Sequence, residues 1–489
     1  MKKYLLGLAL LAPASFAQQL PLSAALERLE SGSHALEASG ARVETARQNH
    51  KASWGNFLPT VKLEADAVHL DREIEMNLNS LRTAMIQTEA ATAYSSTYYS
   101  MAGSGATPAV AQATAQQVQS GLATKLDASL PAFSSTFAKQ NDWGVDLVAY
   151  QPLFHGGKIL AAERIASARE RSATADLDKQ KADLRRDFTK LYLQGALLRQ
   201  SIALRIQAIS SIERHRDQAR KGMEQGMVDK ASLLRAEMAL ADAHTQLSDD
   251  SAKLQSVALT LGQMSGGTPI VPADTLTRPP AAPASAEELE KQMSTDNALL
   301  RSLSAQQDVA HKAVAVKTSD FLPQVGLFGK YQFNHEAARD ALQPIWAVGI
   351  KGEITLFKGG NDWYSRAAAV STEREVSALR AEARSALSAQ ISRQLLTLQQ
   401  SRTRWDNLSA QIVLAHENHR VTEARFAQGQ ATGLEVVDAW LLMQKADLER
   451  LSAAAEGWMS LNEILWANGH THDIETHWPR ASALSGASR

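Results

Sequence analysis

The chain repeats itself at a fixed offset, and that constrains its fold more than any composition does. "YQPLFHGGKILAAERIASARERSA" begins at Tyr150 and returns as "EITLFKGGNDWYSRAAAVSTEREV" from Glu353. Leu153-Phe154 lie 203 positions before Leu356-Phe357, and Gly156-Gly157 lie 203 positions before Gly359-Gly360. "GMEQGMVDKASLLRAEMALADA", from Gly222, keeps the same offset and sets Gly226 opposite Gly429. Two copies of one supersecondary design are the simplest source of such a period. The Leu-Pro pairs that open "FLPTVKLEADAVHL" and "FLPQVGLFGKYQFN" are 264 apart, Pro59 to Pro323, and the difference of 61 positions marks an insertion in the first copy, within about residues 71–140.

Each copy holds two runs of period two. Val61, Leu63, Ala65 and Ala67 alternate with Thr60, Lys62, Glu64 and Asp66, and Trp143, Val145, Leu147 and Ala149 follow suit. Val325, Leu327, Tyr331 and Phe333 form the third run; Trp346, Val348, Ile350, Ile354 and Leu356 form the fourth. One apolar face at period two predicts strands. Four strands from one chain leave two open edges, which water tolerates poorly and lipid not at all.

After each glycine pair the period becomes helical for about 60 residues, Leu160 to Lys221 and Trp363 to Arg425. Leu177, Leu184, Leu191 and Leu198 recur every seven residues, with Phe188, Ile202 and Ile209 alongside; Leu387, Ile391, Leu398, Trp405, Leu408 and Ile412 do the same in the second copy. At ~1.5 Å per residue such helices run roughly 90 Å, longer than a globular domain is wide, so coiled-coil packing is expected. Each turns at a glycine, Gly226 or Gly429, and a helix of about 30 residues returns. Helices over about 22–53 and 287–317 lead into the Leu-Pro strands. The expected organisation is a first repeat over 18–264, a Pro/Ala-rich linker over 265–285, a second repeat over 286–470 and a tail over 471–489.

The Gly-Gly-Lys turn invites comparison with a phosphate loop. That chemistry needs a full GxxxxGK[ST] frame. The frame is absent, and Asn361 replaces Lys158 in the second copy. What survives is the glycine pair, which lets the backbone turn from strand to helix where a side chain would clash.

A formal net charge of −1 over 489 residues gives no electrostatic case for nucleic acid. Lys2 and Lys3, an apolar run from Tyr4 to Leu11, and Ser15-Phe16-Ala17 read as a signal peptide over 1–17. No stretch offers 18 consecutive apolar residues for a membrane helix. With no cysteine there is neither a disulfide nor a thiolate metal site. No nucleophile-base arrangement or paired catalytic carboxylate argues for an enzyme, and no cofactor is expected.

Two Leu-Pro strand pairs, two "LFxGG" hinges and two glycine-tipped helical hairpins, in this order, resemble the outer membrane efflux proteins of the TolC family. The resemblance implies a mainly α fold with a small β part: a homotrimer whose protomers give four strands each to one 12-stranded outer-membrane β-barrel. A periplasmic α-helical coiled-coil tunnel continues it. It implies a Gram-negative outer membrane, with lipid around the barrel and a passive exit for substrates handed on by an inner-membrane pump, of RND or ABC type, through a periplasmic adaptor (membrane fusion) protein. Pro59, Gly156, Gly157, Pro323, Gly359 and Gly360 would then be the strand–helix hinges. Glu435 and Asp438 fall where the family carries an acidic pair at the periplasmic gate, three residues apart and so able to share a helix face; three copies would stack two carboxylate rings that favour cations. Gln225, Gly226 and Met227, with Gln428, Gly429 and Gln430, match the adaptor-docking tips. Ala431 and Ser232 stand where a well-known member has an arginine and an aspartate that lock adjacent hairpins.

The insertion, poor in charge and rich in Ala, Ser, Thr and Gln, suggests two helices around "AGSGATP" on the extracellular side. A cap over the exit or a segment folded into the lumen are the other readings. His470, His472, Glu475 and His477 tempt a metal reading, but a tail without a rigid frame leaves such side chains free. Trp54, Trp143, Trp346 and Trp363 sit near strand ends, as interfacial aromatics or as simple packing. An exit component of type I protein secretion shares the whole pattern. A soluble periplasmic coiled-coil scaffold does not account for the strands.

Overall fold

The computed structural model describes residues 17–71, 78–129, 140–226, 229–333 and 344–478; residues 1–16 of the expected signal peptide and Met227 lie outside them. The chain divides into two compact units. One comprises Met1–Ala46, Ala168–Val309 and Glu373–Arg489, and the other Arg47–Ser167 and Ala310–Thr372.

The elements run β1 (Gln18–Leu20), α1 (Leu22–Gly32), α2 (His34–Ser53), β2 (Thr60–His69), α3 (Leu78–Gly103), α4 (Pro108–Ser129), β3 (Asn141–His155), α5 (Lys158–Glu224), α6 (Lys230–Met264) and β4 (Ile270–Pro272). The second half gives α7 (Ala286–Asp296), α8 (Ala298–Ser319), β5 (Gln324–Gln332), β6 (Trp346–Glu353), α9 (Asn361–Ala427), α10 (Gly433–Ala467) and the short α11 (Ile474–His477). α5 and α9 are each 67 residues long, and α6 and α10 each 35. Every boundary of these four helices keeps the 203-residue offset seen in the sequence.

In the unit built around residues 47–167 and 310–372, β2, β3, β5 and β6 form one antiparallel sheet in that order. The register lines up apolar residues across it: Leu63 pairs with Leu147, Leu147 with Tyr331, and Tyr331 with Trp346. Such cross-strand pairs stabilise a sheet when they are buried. Here the apolar face is the open one: Val61, Leu63, Val348 and Ile350 are 60–69% exposed. The opposite face carries Lys62, Glu64, Asp146 and Lys330. Asp146 is buried and pairs with Lys330 at 2.7 Å. A sheet with its apolar side outward is built for an apolar solvent. The ladder of β6 stops at Glu353, so Ile354 and Leu356 of the expected fourth run lie beyond it. The insertion forms the antiparallel pair α3 and α4, closed on Ile86, Ala90, Ala111 and Ala115, with Arg82 3.2 Å from Asp127.

The other unit holds the main core. Leu22, Leu26 and Leu29 of α1, Phe188 and Tyr192 of α5, and Trp458 and Leu461 of α10 meet there. The segment expected as a linker is built into this core. Ile270–Pro272 pairs in parallel with Gln18–Leu20, and the buried Asp274 accepts from the Leu22 amide at 2.7 Å and the Tyr192 hydroxyl at 2.8 Å. Burial, and then the Asp274 carboxylate, hold the Tyr192 phenol far above its ordinary pKa, so it remains a donor.

The two leading helices, expected as single runs, each break once. α1 ends where a Cβ on Gly32 would stand 2.4 Å from the Ser265 carbonyl oxygen. α7 ends at Asn297, which accepts from the Leu300 amide at 3.0 Å and donates to the Ala467 carbonyl at 2.9 Å. The first break comes from a tertiary contact, and the second joins a local asparagine cap on Leu300 to a tertiary contact with Ala467.

Both hinges use two successive left-handed glycines, with φ +58° and +77° at Gly156-Gly157 and +62° and +78° at Gly359-Gly360. The following helices start on the second glycine's carbonyl, bound by Ala161 at 2.9 Å and Tyr364 at 3.1 Å. The surroundings differ. A Cβ on Gly156 would meet the Ser319 carbonyl oxygen at 2.6 Å and the Leu322 Cβ at 2.7 Å, whereas Gly359 has nothing within 4 Å. Gly359→Ala should therefore cost about 1 kcal/mol, the left-handed strain alone. Gly156→Ala adds overpacking and should cost roughly 3 kcal/mol. Unfolding midpoints of the purified variants check this; equal losses would contradict the packing argument.

Candidate channel gate and hairpin tips

Pro59 and Pro323 each stand directly before the first residue of a strand, β2 or β5, and the glycine pairs stand directly before α5 and α9. The structure thus puts all six expected hinge residues at strand–helix boundaries. Lys158, the lysine of the Gly-Gly-Lys turn, pairs with Asp320 at 2.8 Å.

At the other end of the long helices both hairpins reverse on a glycine with the same backbone angle, φ +71° at Gly226 and at Gly429. Gln225, Gly226, Gln428, Gly429 and Gln430 are all exposed, and the last amide of the second turn, Gln430, closes on the Arg425 carbonyl at 2.9 Å. Beneath the turns Ala219 of α5, Leu233 of α6, Phe426 of α9 and Val436 of α10 share one apolar cluster. A second cluster joins Ile209 and Ile212 of α5 to Leu240 of α6 and to Val437 and Trp440 of α10. The Trp440 indole donates to the Ala208 carbonyl at 3.2 Å, fastening α10 to α5.

Ala431 and Ser232 make no ion pair, as their chemistry requires. Ser232 is buried instead, and a Cβ on Gly433 would lie 2.9 Å from the Ser232 Cβ. The hairpins meet here by close packing of small residues.

Glu435 and Asp438 are both exposed on one face of α10. Their roles in the fold differ. Glu435 completes a capping box: the Thr432 hydroxyl accepts from the Glu435 amide at 3.3 Å, and the Glu435 carboxylate accepts from the Thr432 amide at 2.6 Å. These bonds to Thr432, chiefly the backbone one, with Arg425 adding attraction, hold the Glu435 carboxyl below the ordinary glutamate range. The signal Thr-x-x-Glu is present in the sequence and identifies a helix start. The first hairpin caps α6 with Asp229, whose side chain accepts from the Ser232 amide at 3.1 Å.

The C-terminal histidines do not converge. Glu475 pairs with Arg185, while His470 lies 3.3 Å from Asp296 and 3.5 Å from Asp473. Ile474 and Trp478 are buried, with the Trp478 ring 4.6 Å from that of Trp458. The chain up to Trp478 is therefore docked into the core rather than free, and no three His, Asp or Glu side chains among the described residues are placed to hold a metal.

A family profile described as outer membrane efflux protein matches residues 106–267 and 291–462, more than half of the chain. The protein belongs to the outer membrane efflux protein family. Its fold is shared with the outer membrane protein VceC of Vibrio cholerae, at 16% identity and TM-score 0.69 over 92% of this chain and 96% of that one. The Campylobacter jejuni CmeC outer membrane channel matches at 12% identity and TM-score 0.69, over 93% and 89% of the two chains. The Neisseria gonorrhoeae MtrE outer membrane channel, solved in an open state, matches at 15% and 0.68 over 92% and 89%. No curated protein matches the chain. Membership makes this a transport protein of the outer membrane. No helix among the described residues is long and apolar enough to cross a membrane.

Removing the cap hydroxyl with Thr432→Ala should cost about 1 kcal/mol. The carboxylate arm of the box has a pH signature. Glu435 has a lowered folded-state pKa, so its contribution is present above the ordinary carboxylate range and is lost as pH falls through the folded value. The gap in urea midpoint between wild type and Glu435→Gln should therefore narrow from about pH 7 to about pH 3. A gap independent of pH would remove the carboxylate from the cap.

Proposed function

We propose that three copies of this chain close one 12-stranded barrel and act as the passive exit duct of a tripartite efflux system. An inner-membrane pump would deliver substrate through a periplasmic adaptor that meets the exposed tips at Gln225-Gly226 and Gln428-Gly429-Gln430. The carrying observation is the sheet of a single chain. Its apolar face is open, and the outer edges of β2 and β6 pair with no other strand among the described residues. Backbone groups left unpaired in hydrocarbon cost several kcal/mol each, and closure of strands from several copies removes that cost. Trp54, Trp143, Trp346 and Trp363, all 58–68% exposed, fit the aromatic levels that border the hydrocarbon in such barrels.

In this reading Glu435 and Asp438 contribute two carboxylate levels at the periplasmic end of the duct. Asp438, one helical turn beyond the cap, is the freer of the two; Glu435 remains ionised through its bonds to Thr432. Single-channel recordings of the purified protein in planar bilayers test the proposal. Discrete steps from a trimer are expected. The double variant Glu435→Gln with Asp438→Asn should lose preference for cations over anions, shown as a reversal potential nearer zero in a salt gradient. An unchanged reversal potential would remove the two carboxylates from the ion path, and a non-conducting monomer would remove the duct.

A further inference from the structure

His215 lies on α5 between the two apolar clusters of the tips and is 2% exposed. Its ring packs edge-on against Phe426 of α9, centroids 4.9 Å apart. Both ring nitrogens are enclosed, and no side chain bonds either of them. The Gly433 backbone at the start of α10 stands close enough to favour the charged ring; on its other side Gly433 packs on Ser232 of α6. One imidazole thus occupies the seam where all four helices of the two hairpins meet.

The charged neighbours come from each side of the seam. Glu423 on α9 favours a charged His215 and a charged His419; His419, itself only 8% exposed, opposes charge on His215. Arg214 on α5 and His416 on α9 oppose charge on His419. His416 is exposed and already bonded to Asp447 of α10 at 2.9 Å. On α6, Ser232 packs on Gly433 and is held by the Asp229 cap. Among the charged groups that act on His215 itself, Glu423 is the carboxylate and His419 opposes it.

We propose that His215 is a proton-operated latch between the two hairpins: the neutral ring seals the seam, and the charged ring drives the tips apart. Burial, outweighing Glu423, lowers the affinity of His215 for a proton below that of an exposed histidine, and His419 is lowered for the same reason. The sign follows. A separated seam re-solvates the ring and returns its pKa toward ~6.5, so the separated state binds more protons. The packed state is fully favoured above that value and loses ground as pH falls toward the packed-state pKa, by up to about tenfold per pH unit for one proton. The proposal rests on the gate reading in one respect, that separating the hairpins widens the duct.

The test takes the full-length trimer at about pH 7.5 and about pH 5.5, as wild type, His215→Phe and His215→Asn, with two readouts. Because the chain has no cysteine, a single pair introduced at Ala231 and Gln430 can carry spin labels that report hairpin separation, while bilayer recordings report open probability. Wild type should show a longer, broader inter-label distance and a several-fold higher open probability at the lower pH. Both variants should give the same values at the two pH values, His215→Phe because it restores an apolar ring and His215→Asn because it cannot be charged. A variant that retains the full pH response, or a wild type whose distance ignores pH, overturns the latch. A distance that shifts in wild type but not in the variants, with open probability unmoved, upholds the latch and instead overturns the gate reading.

Discussion

Backbone amides and carbonyls at the edge of a sheet must find partners, and that requirement organises this protein. β2 and β6 are the outer strands of a sheet whose exposed face is Val, Leu, Ile and Trp. In water such a sheet would be both sticky and open-ended. In hydrocarbon its face is stable and only its edges are not. The same chain therefore has to leave the sheet abruptly. Gly156-Gly157 and Gly359-Gly360 do so by placing two left-handed residues in succession, a conformation that costs side-chain-bearing residues about 1–2 kcal/mol each.

Duplication supplies two copies of that solution, and the copies have diverged where they do different work. Helix lengths are conserved to the residue between them. The caps are not: Asp229 starts one returning helix and the Thr432–Glu435 box the other. Nor is the seam symmetric. The position that corresponds to the buried His215 is the exposed Asn418 in the second copy. The tips are thus an asymmetric junction made from symmetric parts, with the first hairpin contributing the imidazole and the second contributing Phe426 and Gly433 to its walls.

What the sequence revealed follows from range. Strands β2, β3, β5 and β6 announce themselves because period two is a local property of the chain, and the hinges and tips do so because glycine answers a local demand on φ. The break at Ser33 could not be read, and that at Asn297 only through its asparagine cap. One is set by the Ser265 carbonyl against Gly32 and the other by the Ala467 carbonyl on Asn297, partners 233 and 170 positions away. β1 and β4, at three residues each, are too short to show a period, and their parallel pairing joins Gln18–Leu20 to the segment expected as a linker. The docking of Ile474 and Trp478 likewise depends on a surface made by α5 and α10. At the candidate site, the exposed positions of Glu435 and Asp438 were legible from helical spacing. The burial of His215 was not, because a histidine in a polar-looking stretch between Arg214 and Arg216 gives no local sign of the seam it enters.

The absence of an ion pair at Ala431 and Ser232 changes what can hold the tips together. An exposed salt bridge contributes little and is screened by salt. Close packing of Gly433 on Ser232, flanked by two apolar clusters, depends instead on exclusion of water and on shape. Such a contact depends little on ionic strength, since neither Gly433 nor Ser232 is charged; the carboxylate that touches it is Asp229, which accepts from Ser232. Its buried titratable members are imidazoles, His215 inside it and His419 beside it. A junction made only of Ala, Leu, Val and Phe would be permanently shut to protons; placing a neutral histidine there, with Glu423 nearby, keeps the packing while giving it a chemical variable to which it can respond.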